Sequence, residues 1–176
     1  YQNVRLRCRA DLHGFATDSY NAKSMHKFLD ELEQVVDDAL KAGIVPVISW
    51  IHHKAEVRSN ERDLANYVHW WSEVSKRLNK KSHIVSFNLF TELGKAKEKK
   101  YQKTALRSDP NKYNLWTEQV IKAIHKTGGN SKTRNLILGS PGKKASSLAS
   151  IKPSILKSDK YLLAEFHLYA SGPTKG

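Results

Sequence analysis

Short apolar runs rich in strand-formers alternate with helix-patterned stretches along this chain, and no other feature narrows its possible folds so far. The runs cover residues 4–8, 44–51, 83–90, 134–139 and 161–169. From about Ser24, Phe28, Leu29, Leu32, Val35, Val36 and Leu40 recur at three- and four-residue steps, and Gly43 stands as a C-cap. A second helix is predicted over 61–78, with Asn60 as its N-cap and Leu64, Tyr67, Val68, Trp71, Val74 and Leu78 on one face. A third starts behind Asp109 with Pro110 in its first position, and buries Leu115, Val120, Ile121 and Ile124. Trp70, Trp71 and Trp116 are read as helix packing. The segment KAEVRSN after His53 reads as a loop, and 140–158 as a Ser-, Lys- and Pro-rich stretch with one helical turn near 145–151.

Regular strand–helix alternation predicts a parallel sheet joined by right-handed crossovers. The expectation is a single α/β domain over 1–176. No glycine-rich phosphate loop follows any strand, which argues against a dinucleotide-binding sheet. No apolar run approaches the length of a membrane span, so no membrane partner is expected. Cys8 is the only cysteine, which rules out an internal disulfide and a cysteine metal cluster. Net charge is +13, a field that attracts polyanions. The lysines are scattered, however, and the concentrations at 95–103 and at Lys143 and Lys144 lack the interleaved aromatics of a nucleic-acid module. Those lysines read as solvated loops, and nucleic acid is not the expected partner.

The stretch HIVSFNLFTELG, residues 83–94, holds the chemistry. Ser86, Asn88 and Glu92 share one parity on a strand otherwise apolar, which points them to one side. Glu92 then sits where a barrel strand opens into its active site, or is an ordinary surface glutamate past a core strand. The other strands weigh on that choice. The first carries Arg5, Arg7, Arg9 and Asp11 toward its carboxyl end, the second His52 and His53, the third Thr91 and Glu92, the last Glu165, His167 and Tyr169. Ionisable groups collected at one end of a parallel sheet mark the ligand end of both barrels and open sheets. His52, His53 and His167 have no spacing that fixes a ligand set, so neither a metal nor another cofactor is expected.

The series VRLR, VISWIHH, NLFTELG and AEFHLYASGP resembles glycoside hydrolase family 5, the cellulase-like retaining β-glycosidases of the (β/α)8 clan. The resemblance runs from the second barrel strand to the sixth. It implies a TIM-barrel-type fold, incomplete in about five parallel strands, and cleavage of a β-linked polysaccharide or oligosaccharide by double displacement. It also implies secretion. By it, Glu92 is the general acid/base, and His167 and Tyr169 are the strand-six pair lining the site. Arg5 supports the nucleophile, and His52 lies near a sugar subsite. His53, Trp50 and Thr91 join the substrate-binding set, with His13 and Phe15 as further sugar-facing walls. Thr91 stands where the family has asparagine, which leaves one short donor in place of an amide. The family's strand-seven glutamate nucleophile is not identified here; Glu165, preceding the His and Tyr, does not match it by position. The expectation is a fragment or cut-down relative of such an enzyme. A non-catalytic carbohydrate-binding barrel and a basic nucleic-acid-binding α/β protein are the alternatives.

Overall fold

The computed structural model describes residues 2–15 and 19–168. Five parallel strands, β1 (Asn3–Arg9), β2 (Val45–Ile51), β3 (Ser86–Phe90), β4 (Leu136–Gly139) and β5 (Leu162–Glu165), lie in the order in which the chain makes them. The principal helices are α1 (Ala22–Lys41), α2 (His53–Arg58), α3 (Glu61–Leu78), α4 (Pro110–Lys126) and α5 (Pro153–Ser158). With the order monotonic, crossovers of one hand put every helix on the same face. α1 packs on α3 and α3 on α4, as that requires. The α/β class, the parallel pairing and the partial-barrel arrangement thus match expectation.

The caps stand where the sequence placed them or one turn away. Asn60 and Asp63 form a reciprocal capping box on α3, and Asp109 Oδ1 accepts from the amides of Asn111 and Lys112 at the start of α4. α1 begins earlier than the periodicity indicated because Asn21 caps it through the Ser24 amide. KAEVRSN is not a loop: most of it is α2, capped by His52 and closed by Ser59 in the left-handed region, φ 44°. A six-residue helix has too few repeats for periodicity to reveal it. Val35 and Leu115 point outward, at 45% and 44% exposure, so each helix buries a narrower stripe than the pattern indicated.

Between sheet and helices lies a continuous aromatic layer. Trp50 meets Tyr67 edge-on at 4.7 Å, Tyr67 stacks on Phe90 at 5.3 Å, Phe90 packs on Tyr113 at 4.7 Å, and Trp71 covers Phe87 at 5.1 Å. Each such pair contributes roughly 0.5–1.5 kcal/mol beyond the area it buries. Two of these rings also pin strand ends. The Tyr67 hydroxyl donates to the Leu89 carbonyl at 3.0 Å and the Tyr113 hydroxyl to that of Gly139 at 2.8 Å. Burial raises the pKa of both phenols, which keeps them as donors. Gly139 admits no side chain: a Cβ there would lie 2.0 Å from the Phe90 carbonyl oxygen. That approach accompanies the register shift between Asn88 and Phe90, where β3 leaves the ladder. Strand β3 therefore ends in a fixed, irregular turn.

Candidate active site

β3 stops at Phe90, and two residues later Glu92 takes the left-handed conformation, φ 47°. A non-glycine residue there is uncommon and costs about 1–3 kcal/mol, a strain that gathers at functional sites. The turn carries the Glu92 carboxylate away from the sheet ladder toward the ends of β4 and β5. His167, two residues beyond β5, places Nδ1 at 3.1 Å from Glu92 Oε1. Lys143, in the loop after β4, places Nζ at 3.4 Å from Oε2. That loop is itself held. Gly142 and Lys143 both have positive φ, at 76° and 69°, and the His167 amide donates to the Lys143 carbonyl at 3.0 Å.

A second carboxylate lies on the far side of the same imidazole. Glu165 Oε1 lies 2.9 Å from His167 Nε2 and accepts from Arg5 Nη1 at 3.2 Å. Its Oε2 accepts from Arg5 Nη2 and, at 3.1 Å, from Asn88 Nδ2. Thr91 closes the network: its hydroxyl accepts from Arg5 Nη1 at 3.3 Å and donates to Asn88 Oδ1 at 2.6 Å. Arg5, Asn88, Thr91, Glu92, Lys143, Glu165 and His167 thus come from all strands but β2 and form one connected polar cluster at the strands' carboxyl ends.

Beside it stands a buried support. Glu56 of α2 is fully buried and accepts from the Gly94 amide at 2.7 Å, from the His52 amide at 3.3 Å, and faces His53 Nδ1 at 2.9 Å. It ties the turn after β3 to the turn after β2. Gly94 fits because a Cβ there would lie 3.2 Å from His53 Cβ and 3.3 Å from the Glu56 carboxylate. The hydrogen bond from Glu56 outweighs partial burial and raises the His53 pKa above its ordinary 6.5. The stability from this pair is therefore complete below pH 6.5 and fades as pH climbs through the raised folded value. In an NMR titration the His53 midpoint should lie above 6.5 and fall back in Glu56→Gln. A midpoint equal in both proteins would mean that Glu56 does not govern this ring.

The sequence-derived set divides. Arg5, Thr91, Glu92 and His167 meet in the cluster. Thr91 is buried with its hydroxyl engaged by Arg5 and Asn88, so it works inside the network. His53 lies beside the Glu92 turn, half exposed. Trp50, expected on the sugar side, is corrected: strand alternation turns it toward the helices, where it is 2% exposed against Tyr67. Phe15 and His13 are corrected likewise. Phe15 is buried against Tyr20 and His69, and His13 stacks on Phe28 of α1 at 5.6 Å. His52 is buried, its ring accepting from the Ala55 amide at 3.3 Å as the cap of α2, and it lies 6.0 Å from the Trp50 ring. Tyr169 lies outside the described residues. Sequence reasoning did not assign roles to Asn88, Lys143, Glu165 and Glu56. Parity marked Asn88 and Glu165, but nothing local marks Lys143 or Glu56.

A family model described as cellulase (glycosyl hydrolase family 5) matches residues 1–176. Endoglucanase H of Acetivibrio thermocellus is 28% identical over 172 residues, which are 96% of this chain and 17% of that protein. Among solved structures, a GH5-4 broad specificity endoglucanase from Clostridium acetobutylicum superposes with a TM-score of 0.79 at 14% identity, covering 97% of this chain and 52% of that one. A hyperthermophilic endo-β-1,4-glucanase in complex with substrate gives 0.74 at 22%, covering 97% and 49%. A xyloglucan-specific endo-β-1,4-glucanase from a metagenomic library, in complex with cellotriose, gives 0.75 at 20%, covering 97% and 51%. The chain spans about half the length of these solved relatives.

Proposed function

Since this chain belongs to glycosyl hydrolase family 5, the cellulase family, we propose that the whole protein is a retaining endoglucanase-like hydrolase of β-linked glucans, with Glu92 as its acid/base. The observation that carries the reading is the strained left-handed turn that presents the Glu92 carboxylate between His167 and Lys143. In the first step a nucleophilic carboxylate attacks the anomeric carbon and Glu92 gives its proton to the departing glycosidic oxygen. In the second, Glu92 takes a proton from water as that water displaces the enzyme carboxylate, which restores both groups. The nucleophile comes from a part of the protein beyond these 176 residues, consistent with a chain half the length of its solved relatives. The substrate is a polymer, so the site of action is outside the cell.

Within this chain, Arg5 and Asn88 hold the floor of the site by binding Glu165, while His53 and Lys143 stand at its rim. The test is incubation of the full-length protein with β-1,4-linked and mixed-linkage glucans. New reducing ends are expected, and NMR of early products should show the β-anomer retained. Release of the opposite anomer would refute double displacement. Glucan binding without release would make the protein a carbohydrate-binding barrel instead.

A further inference from the structure

Glu165 carries no role so far beyond filling the floor of the site, yet its contacts fix the direction of every hydrogen around it. A carboxylate offers about four acceptor positions, and four groups face them: Arg5 Nη1 at 3.2 Å and His167 Nε2 at 2.9 Å on Oε1, Arg5 Nη2 and Asn88 Nδ2 (3.1 Å) on Oε2. Arginine cannot accept. The Asn88 amide is oriented by the Thr91 hydroxyl, which donates to its Oδ1 at 2.6 Å, so its NH2 faces Glu165. Glu165 is therefore an acceptor on all sides, and the hydrogen on the 2.9 Å contact belongs to His167 Nε2.

We infer that Glu165 is a positioning residue: it pins the hydrogen of His167 on Nε2, so that Nδ1 is the ring atom that shares a proton with Glu92. Nδ1 lies 3.1 Å from Glu92 Oε1. A ring with Nε2–H has its lone pair, or its titrating proton, at Nδ1. While Glu92 holds its proton, before the first step and again after it takes one from water in the second, that proton can be shared across this contact. No bond other than N–H and O–H changes, and the proton count is conserved. Among the described residues, the charged groups around the ring include Arg5 from β1, Glu92 after β3, Lys143 after β4 and Glu165 from β5. The same logic applies to a metal-bound histidine, whose outer partner selects the working nitrogen. This inference deepens the acid/base reading of Glu92 and rests on it for its catalytic meaning.

The substitution Glu165→Gln tests it, because Asn88 also dictates how the new amide sits. With the glutamine oxygen at the Oε2 position, Arg5 Nη2 and Asn88 remain satisfied, and the NH2 meets one donor, Arg5 Nη1, and the His167 ring. The opposite orientation sets NH2 against both Arg5 Nη2 and Asn88. The first orientation wins by one donor–donor clash, and the ring then answers the NH2 with a bare Nε2 and moves its hydrogen to Nδ1. Nitrogen-15 NMR of His167 in the full-length protein should show the neutral ring with its hydrogen on Nε2 in wild type. In Glu165→Gln the two nitrogens should exchange roles. Turnover of unactivated glucan should fall about tenfold or more in the variant, within the ~10²–10⁴-fold that general acid–base catalysis supplies. KM should change little, and aryl glycosides with good leaving groups should keep their first-step rate. A wild-type neutral ring with its hydrogen on Nδ1 overturns the inference, even if the variant does not fold. So does the same tautomer in both proteins. The NMR result is independent of turnover, so failure of the Glu92 assignment would show as unchanged leaving-group dependence with the tautomers still reversed.

Discussion

Glu92→Gln in the full-length protein should lower turnover of unactivated β-glucans by about 10²–10⁴-fold, the share of rate that a positioned general acid supplies. Glutamine keeps the shape and the contact with Lys143 but has no acidic proton for the leaving oxygen. The loss should depend on the substrate. An aryl glycoside with a good leaving group needs no protonation, so its first step should proceed nearly as in wild type. The second step needs a base to deprotonate water, so a covalent glycosyl-enzyme should accumulate as a burst. Azide attacks without losing a proton, and should therefore restore steady turnover and yield a β-glycosyl azide. Equal turnover of variant and wild type on both substrate types would remove Glu92 from the mechanism. Glu92 lies at φ 47°, so Glu92→Gly is a useful companion. It should relieve backbone strain and raise stability slightly while abolishing the acid.

The largest stability effect is expected at Arg134, a residue outside the site. It is fully buried at the start of β4, and donates from Nη1 to the carbonyls of Ser82 (2.9 Å) and Val85 (2.6 Å) and from Nη2 to those of Leu78 (2.9 Å) and Lys81 (3.3 Å). Its guanidinium also lies 4.9 Å from the centre of the Phe87 ring. Burial brings its pKa down to about 10, so it is still charged at neutral pH. One side chain thus binds four carbonyls along the connection from α3 to β3. Arg134→Met fills a similar volume but strips a charged donor from each of these carbonyls, a bond worth about 1.5–3 kcal/mol; those of Leu78, Lys81 and Ser82 keep the Lys81 amide, Asn130 Nδ2 and the Val85 amide. Some of them will rehydrate, so a net loss of about 4 kcal/mol is expected, in the tail of single-substitution effects. For a domain of this size that lowers the midpoint of thermal unfolding by about 10 °C. Arg7→Met, at an exposed position of β1, should change stability by less than about 0.5 kcal/mol. Matching denaturation curves for the two variants would show that the Arg134 hydrogen bonds are replaceable by water.

The residues that the sequence gathered and that meet in the polar cluster are those whose position follows from strand geometry. Glu92 and His167 stand just past apolar strands, Arg5 lies within one, and the chain order of the strands is also their spatial order. Misplacement occurred where parity was overridden or not applied. Trp50 belongs by alternation to the face of Ile48, which is the helix side, and its aromatic character drew it wrongly toward the sugar. His52, expected near a sugar subsite, is buried as the cap of a helix too short to announce itself by periodicity.

Strand and helix alternation, the parallel sheet, the caps at Asn60 and Asp109, and the end of the sheet at which the polar side chains gather were all determined by the sequence by itself. These depend on neighbours within a few residues, on the two-residue pleat and the 3.6-residue turn. Tertiary structure alone decided that Glu165 faces Arg5, Asn88 and His167 together, that Lys143 leaves a basic loop to meet Glu92, and that Glu56 joins two turns from beneath. Apart from the Glu165–His167 pair, which is two positions apart, those contacts join residues 38 to 160 positions apart. No local pattern encodes such a distance; it is set by the curvature of the sheet and by which loops its closing strands bring together.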